Sequence, residues 1–353
     1  MEDTTMQKIK DTMSMKNKKK STYLIAEIGQ AHDGSLGILH SYIDAVAMTG
    51  VDAIKFQTHI AEAESSMAEP FRINFSYEDP TRFDYWKRMS FTREQWIEIK
   101  NHCEEKELEF LSSPFSQAAV DLLESIGIKK YKIGSGEVTN FLLLEKIART
   151  GKPIILSSGM CSFPELDRAV KFIEEFGNDL SILQCTTSYP TPAERIGLNV
   201  IEEMKNRYPT HRIGLSEHTA NITTGIAAVT LGAEILEFHT VFDRRIFGPD
   251  ASSSLTIDEV GKLVRSIRFL EKALEHPIDK NDLSPFLGLK KIFEKTLAVN
   301  KNLPIGHKIT FEDLEAKKPA QQGISANEFK KIIGKKLSVA KLKFDFLKIE
   351  DLA

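Results

Sequence analysis

Short apolar segments alternate with helix-length amphipathic segments over most of the chain. Eight apolar runs of this kind end in polar residues, among them YLIAE, AIKFQ, EFLSS and ILEFH. Continuous apolar runs, each followed by an amphipathic helix, are typical of parallel strands that are buried on both faces. The pattern predicts a (β/α)8 TIM barrel, in which the residues at the carboxyl ends of the strands converge on one face.

The helical segments and a change of composition near residue 276 define the expected domains. Helices are predicted at residues 36–49, 92–106, 116–126, 141–150, 162–176, 200–207, 222–231 and 257–274. A polar, Pro-containing stretch follows, and then the strand-like pieces KTLAV, KITFEDL and KKLSVA. We therefore expect a disordered tail at 1–20, a catalytic barrel at 21–276, a linker at 277–292 and a small β domain at 293–353.

One connection in the predicted barrel is much longer than the others. More than 30 residues separate Gln57 from the helix that begins near Thr92, and the part from Met67 to Arg88 holds six aromatic side chains. A loop of this length over a barrel mouth is usually a lid or a substrate-binding insert. A surface excursion and a subunit contact are the alternatives.

Composition and charge exclude several functional classes. The formal net charge is -3, so the chain has no general attraction for nucleic acid or for an anionic membrane. Three cysteines without metal-type spacing indicate reduced thiols, packed in the fold of a cytoplasmic protein. The first 20 residues contain no apolar segment of the kind found in a signal peptide or membrane anchor.

Two histidines form the sharpest candidate site. His218 and His239 each end a predicted strand, and the two strands are consecutive. Neighbouring strands lie less than about 5 Å apart, so imidazoles at their ends can share one metal ion. Two histidines with carboxylates nearby suit Mn²⁺, Mg²⁺, Co²⁺ or Zn²⁺, with open positions for substrate and water. A purely structural role for each histidine is the alternative.

Lysines also stand at strand ends. Lys55 and Lys132 end two of the predicted strands, and buried lysines are rare unless they are paired or functional. One interpretation is Schiff-base catalysis, which needs a desolvated amine. The other is binding of a phosphate group, helped by the hydroxyls of Ser135, Ser157 and Ser216.

Three carboxylates belong to the same predicted mouth. Glu27 and Glu137 could instead form salt bridges with the two lysines. Asp250 lies in the Gly/Pro loop GPDASSS, where it could bind sugar hydroxyls or support a metal-binding histidine. A helix cap is a weaker interpretation of Asp250, because Thr256 and Asp258 already provide one.

Taken in order, these segments resemble a known family. The motifs IAEIGQAHDG, IKFQT, LSSPF, YKIGSGE, LSSGM, CTTSYPTP, GLSEHT, EFHTVFDR and GPD are similar to those of the sialic acid synthases, the phosphoenolpyruvate-condensing nonulosonate synthases. The segments PIGHKITFEDLEAKKPAQQGIS and IIGKKL resemble that family's SAF, or antifreeze-like, β-clip domain. The resemblance extends from Tyr23 to Leu352.

The resemblance implies a reaction between phosphoenolpyruvate and a 2-acetamido hexose, with release of phosphate. Glu27, His218 and His239 would be catalytic, and both histidines would hold the metal, Mn²⁺ in first place and Mg²⁺ or Co²⁺ otherwise. The implied phosphoenolpyruvate contacts are Lys55, Lys132, Ser135, Ser157, Thr187 and Ser216. The implied sugar contacts are Gln57, Glu137, Tyr189, Asp250 and Lys318, the last from the SAF domain of the partner in a domain-swapped homodimer.

The chain departs from the family pattern at three places. Thr187 stands where an amide side chain is frequent, which removes one kind of phosphate contact. Lys318 stands where the family usually has arginine, in a loop one residue longer. Lysine lacks the planar fork of arginine, so recognition of the sugar N-acyl group is expected to differ. The first residues also lack the hairpin pattern that closes the barrel floor in other members.

Two other functions are alternatives to the synthase function. The synthase function itself leaves two classes of candidate sugar. A metal-free Schiff-base aldolase would use one lysine and leave the histidine pair idle. A non-enzymatic binder would use only the last 60 or so residues of the chain. The candidate sugars are N-acetylmannosamine and a diacetamido-dideoxy hexose, and KIGSGE resembles the sialate and legionaminate branches of the family.

Overall fold

The computed structural model describes residues 21–73 and 75–353. The tail predicted at residues 1–20 lies outside this range. The expected lack of a hairpin that closes the barrel floor concerns the same residues. The chain divides into two compact units, one that ends at His276 and one that spans Pro277–Ala353. No helix in the part of the chain that the structure describes is long and apolar enough to cross a membrane.

The first unit is a closed barrel of parallel strands. The strands are β1 (Tyr23–Glu27), β2 (Ala53–Thr58), β3 (Glu109–Pro114), β4 (Tyr131–Ile133), β5 (Ile154–Ser157), β6 (Leu180–Cys185), β7 (Arg212–Glu217) and β8 (Ile235–Val241). Neighbours in the chain pair in parallel, and β8 pairs with β1 to close the barrel. A short strand, β9 (Leu255–Thr256), pairs in parallel with the end of β8. The predicted (β/α)8 barrel is confirmed.

Among the described residues of the first unit, eight of ten α-helices cover the outside of the barrel, and the other two lie in the long connection after β2. The ten are α1 (Leu36–Ala47), α2 (Ala61–Glu64), α3 (Arg82–Met89), α4 (Arg93–Glu105), α5 (Gln117–Ser125), α6 (Phe141–Ala148), α7 (Phe163–Glu174), α8 (Leu198–Arg207), α9 (Ile222–Thr230) and α10 (Ile257–Leu274). All eight helices expected from the sequence are present, because their apolar stripes and caps are encoded locally. Thr256 caps α10 through a reciprocal bond with Glu259.

The barrel interior is packed below the strand ends. Six side chains from six strands fill it, namely Ile25, Ala53, Leu111, Ile155, Leu183 and Ile235. Tyr23 packs against this layer, and its hydroxyl donates to Glu109 Oε2 at 2.6 Å. The interior is therefore a core and not a channel, which confines polar chemistry to the carboxyl ends of the strands.

The long connection after β2 is ordered by its own small core. Helices α2 and α3 lie within it, and Tyr85, Trp86 and Met89 pack with Phe71 and Phe75. The sequence predicted a loop here, and the structure adds two helices. The eight residues of α3 are too few to show a helical period in the sequence. Packing of the aromatic side chains stabilises this helix.

The second unit holds less regular structure than its sequence suggests. Strand β10 (Thr296–Val299) pairs antiparallel with β11 (Leu314–Lys317). The pieces KITFEDL and KKLSVA contribute mainly a 3-10 turn and isolated bridges, such as Leu337 with Leu352. Helix α11 (Leu287–Phe293) occupies part of the segment expected to be a linker. Its sequence is rich in Leu and Lys, which favour a helix, whereas the Pro and Asn residues that disfavour one lie upstream of it.

Candidate active site

A cavity of about 400 Å³ opens at the carboxyl ends of the barrel strands, and all eight strands contribute to it. The register explains the convergence, since Glu27 lies opposite both Lys55 and His239. Every barrel residue predicted from the sequence lines this cavity: Glu27, Lys55, Gln57, Lys132, Ser135, Glu137, Ser157, Thr187, Tyr189, Ser216, His218, His239 and Asp250. Lys318 belongs to the second unit, where its ammonium lies 4.7 Å from the centre of the Phe293 ring.

The base of the cavity is a buried network of two lysines and two glutamates. Lys55 Nζ contacts the Glu27 carboxylate and lies 3.9 Å from Glu237 Oε1. Lys132 Nζ lies 3.3 Å from the same Glu237 oxygen. The salt bridge considered for Glu27 is therefore present, whereas the partner of Lys132 is Glu237 and not Glu137.

Burial and charge compete within this network. Burial disfavours the Lys55 ammonium, but Glu237 and Glu27 outweigh that cost and raise its pKa. Burial lowers the pKa of Lys132, which has one close carboxylate and a second ammonium nearby. Lys132 and Lys55 hold the pKa of Glu237 below its usual range in spite of burial. The two ammonium groups are thus balanced by two carboxylates before any ligand binds.

Hydroxyl groups without partners lie above the lysines. Ser157 Oγ and Thr187 Oγ1 are buried and form no hydrogen bond. Ser135 Oγ accepts a bond of 3.0 Å from the Gly159 amide, and Ser216 Oγ donates to Glu237 at 2.9 Å. A side chain at Gly159 would begin 2.3 Å from Thr187 Oγ1, so glycine keeps this space open. Lysines together with free hydroxyls form a site suited to an anion.

The two predicted histidine ligands lie next to each other in the lining of the cavity. Their ring centres are 5.3 Å apart. His218 Nδ1 lies 3.1 Å from the Thr186 carbonyl oxygen, to which it donates, so Nε2 keeps its lone pair. Burial, with His239 nearby, lowers the pKa of His218 to about 3, and His239 Nδ1 is buried without a partner.

These features fit a divalent cation held by the two imidazoles. Within residues 21–73 and 75–353, however, no cluster of three or more His, Cys, Asp or Glu side chains is arranged to bind a metal. Substrate and water would have to supply the remaining ligands.

A hydrogen-bonded chain of side chains leads from Glu27 towards the mouth. Gln57 Nε2 donates to Glu27 Oε1 at 2.7 Å, and Gln30 Nε2 donates to Gln57 Oε1 at 2.5 Å. His59 lies within 3.1 Å of Gln57 Oε1 and bonds to Glu64 at 2.6 Å. The amide of Gln57 is thereby fixed with its nitrogen towards Glu27.

Tyr189 and Asp250 lie higher in the cavity. The Tyr189 ring packs on His218, with centres 4.2 Å apart. Asp250 Oδ1 accepts a bond of 2.6 Å from Arg72 of the insert, so Asp250 neither supports a histidine nor caps a helix through its side chain. The insert is therefore part of the cavity wall, as expected for a lid or a substrate-binding insert.

The sequence did not predict several of the residues that line the cavity. Glu237 lies two positions before His239 in β8, and the two-residue period of a strand would have placed both on one face. Gln30, His59 and Arg72 lie in loops, where no period exists. Cys185 was expected to be a packing residue but lines the cavity, with its thiol pKa raised by burial.

Comparison with known proteins places this architecture in a family. The NeuB family model matches residues 42–279. The N,N'-diacetyllegionaminic acid synthase of Campylobacter jejuni is 33% identical over 322 residues, which are 90% of this chain and 96% of that one. The human N-acetylneuraminate-9-phosphate synthase is 32% identical over 320 residues, 90% of this chain and 89% of that one.

A solved structure shares the fold. The N-acetylneuraminic acid synthetase of Leptospira borgpetersenii, solved in complex with citrate, superimposes with a TM-score of 0.68 at 29% identity. The match covers 77% of this chain and 92% of that one. The NeuB family model matches more than half of this chain, and the Campylobacter jejuni synthase is 33% identical over 90% of it. Both findings agree with the strand-end site described above. The chain belongs to the NeuB family.

Proposed function

We propose that the protein is a nonulosonate synthase that joins phosphoenolpyruvate to the open-chain aldehyde of a 2-acetamido hexose. A bond forms between C3 of phosphoenolpyruvate and the aldehyde carbon, water adds to C2, and the C2–O bond to phosphate breaks. The products are a nine-carbon 2-oxo acid and phosphate. The observation that carries the proposal is the pairing of an anion site at the base of the cavity with a second polar site, formed by amide, hydroxyl and carboxyl groups, nearer the mouth.

Phosphoenolpyruvate would bind at the base. Lys55 and Lys132 supply positive charge that a buried phosphate or carboxylate group requires. The free hydroxyls of Ser157 and Thr187 donate to phosphate oxygens, and Ser135 and Ser216 complete the ring. Thr187 can still donate one hydrogen bond where other members present an amide.

Glu27 is the residue that would move the proton of the attacking water. Its carboxylate is held between the Lys55 ammonium and the Gln57 amide, so it is oriented with one oxygen on each. Glu27 Oε2 has no hydrogen-bond partner apart from the lysine contact and faces the cavity. A positioned carboxylate of this kind typically contributes about 10²–10⁴-fold to a rate.

We also propose that His218 and His239 hold a divalent metal, Mn²⁺ in first place. When bound, such an ion supplies Lewis-acid stabilisation to the aldehyde oxygen. Tyr189 packs against His218 and limits the movement of that ring. Gln57, Glu137 and Asp250 present amide and carboxylate groups that match sugar hydroxyls.

The second unit would act as a SAF domain that covers the barrel mouth of the partner in a domain-swapped dimer. Lys318 and the loop around Gly323 offer a cation and polar backbone groups for the N-acyl side of the sugar. Support comes from the resemblance of this segment and from the side chain of Lys318, which packs on Phe293 without a carboxylate partner among the described residues.

A phosphate-release assay with phosphoenolpyruvate, Mn²⁺ and a panel of acetamido hexoses tests the proposal. We expect release only when both substrates are present, with N-acetylmannosamine or a diacetamido-dideoxy hexose as the acceptor. No release with any aldose of the panel would refute the synthase.

One observation favours a second candidate, a Schiff-base aldolase. Burial lowers the pKa of Lys132, as a Schiff-base amine requires. Borohydride treatment in the presence of pyruvate would then add the mass of the reduced adduct to Lys132. An unmodified Lys132 under these conditions excludes that reaction.

A further inference from the structure

Six charged side chains surround the mouth of the cavity, and we call them the outer wall. They come from the insert after β2 and from the loops after β4 and β8, and they are Glu64, Glu69, Arg72, Arg82, Glu137 and Asp250. The wall thus contains four carboxyl groups and two guanidinium groups. The relatives include synthases named for phosphorylated and for unphosphorylated products, so family membership alone does not define the charge of the sugar.

Both guanidinium groups of the outer wall are already engaged. Arg72 Nη2 donates to Asp250 Oδ1 at 2.6 Å and to the Pro249 carbonyl at 3.0 Å. Arg82 Nε lies 3.0 Å from Glu69 Oε1. Neither arginine is an unpaired cation waiting for an anionic ligand.

Aromatic rings hold the same two groups in place. The Arg72 guanidinium lies 4.1 Å from the centre of the Tyr189 ring, and that of Arg82 lies 4.6 Å from the centre of the Trp86 ring. Trp86 Nε1 also donates to Glu69 Oε2 at 3.1 Å. Each guanidinium is therefore fixed by a carboxylate at its edge and a ring on its face, so turning towards a new ligand would break both interactions.

The two remaining acids add negative character to the outer wall. Glu64 bonds to His59 at 2.6 Å, and Glu137 accepts from Asn140 at 2.7 Å. Burial raises the pKa of Glu137, and the nearby charge of Glu64 raises it further. The outer wall therefore differs from the base of the cavity, where two ammonium groups lie within 4 Å of a single carboxylate oxygen.

We propose, building on the proposed synthase function, that the sugar substrate is uncharged: a hexose that carries hydroxyl and amide groups and no phosphate ester. Hydroxyl and amide N–H groups can donate to Glu137 and Asp250. A phosphate dianion at the same place would lose its hydration, meet like charge and find both guanidinium charges already offset by Asp250 and Glu69. The outer wall thus selects against the ester by repulsion as well as by the absence of a partner.

Competing substrates test this inference on the full-length enzyme. We expect kcat/KM for N-acetylmannosamine to exceed that for N-acetylmannosamine 6-phosphate by at least about tenfold, which corresponds to about 1.4 kcal/mol. Equal or better use of the ester would overturn the inference and leave the synthase function intact. If neither sugar is turned over, calorimetric binding of the two sugars decides between a neutral and an anionic ligand, and the panel of acetamido hexoses tests the synthase function separately.

An isosteric substitution identifies the outer wall as the cause. Glu69→Gln removes the charge that holds Arg82 but keeps groups able to bond to Trp86. We expect it to raise the kcat/KM of the ester relative to the neutral sugar several-fold. Glu62→Gln is the matched control, since Glu62 pairs with Lys87 at 3.2 Å and is largely exposed outside this cavity, and it should leave the ratio unchanged. An unchanged ratio in Glu69→Gln, or an equal shift in both variants, would refute the role of the outer wall.

Discussion

Substitution of Glu237 by glutamine is expected to move stability and ligand affinity in opposite directions. Glu237 is the carboxylate shared by Lys55 and Lys132, at 3.9 and 3.3 Å, and it accepts from Ser216 at 2.9 Å. With the ligand absent, two ammonium groups are balanced by Glu237 and Glu27. Glutamine has nearly the same shape, so the variant removes one negative charge and leaves the network with one positive charge in excess.

The magnitudes follow from burial. Removing one partner of a buried ion pair costs about 3–5 kcal/mol, and we expect the lower end because Glu27 remains beside Lys55. A loss of about 1 kcal/mol lowers the unfolding midpoint of a domain of this size by roughly 2–4 °C, so the shift is on the order of 10 °C. An anion about 6 Å from the removed charge gains roughly 2–3 kcal/mol at an effective dielectric constant of about 20. Part of this is lost as the lysines reorganise, which leaves about tenfold tighter binding.

Thermal unfolding and calorimetry with phosphoenolpyruvate, both in excess chelator, measure the two effects without turnover. Glu234→Gln is the matched control, because Glu234 lies just before the same strand and forms a partly exposed pair with Arg212 at 3.5 Å. That variant should change the free energy of unfolding by less than about 0.5 kcal/mol. An unchanged midpoint in Glu237→Gln, or weaker binding of phosphoenolpyruvate, would refute the balanced-network account.

Three further predictions concern the reaction. Chelation should abolish turnover and Mn²⁺, Co²⁺ or Mg²⁺ should restore it, while His239→Ala should lose calorimetric metal binding because one of two imidazole ligands is gone. Glu27→Gln should lose about 10²-fold or more in turnover, measured by phosphate release, because an amide cannot take the water proton. It should cause little loss of phosphoenolpyruvate affinity, because it removes a negative charge beside Lys55. Lys318→Ala should raise the sugar KM far more than the phosphoenolpyruvate KM, and mixing it with His218→Ala chains should regenerate some sites with an intact barrel and an intact lid.

Each of these has a clear contrary outcome. Full activity of His239→Ala in excess chelator would end the metal hypothesis. Wild-type turnover in Glu27→Gln would remove Glu27 from proton transfer. If subunits exchange in the mixture and sugar affinity does not recover, the second unit acts within its own chain or not at all.

The barrel and most of its site were predictable because both depend on local periods. Apolar runs and amphipathic stripes repeat in the sequence, so strand ends could be located, and the barrel topology brings strand ends together whatever their separation in the chain. Lys55, Lys132, His218 and His239 reach one cavity for that reason.

Pairing inside the site was not predictable from the sequence. The sequence left Lys132 with two candidate carboxylates, Glu27 and Glu137. Only the closed sheet shows that its partner is Glu237, which β8 carries on the same face as His239. Side-chain partners depend on distances of a few ångströms across strands that are far apart in the chain, and no local period encodes them.

The insert shows the same division more sharply. Its length predicted a lid or a substrate-binding insert over the barrel mouth, whereas the contact of Arg72 with Asp250 joins residues 178 positions apart. The sequence alone determined which residues stand at strand ends. The tertiary structure decided which charges neutralise one another there, because burial and long-range approach, and not local propensity, set the free energy of those pairs.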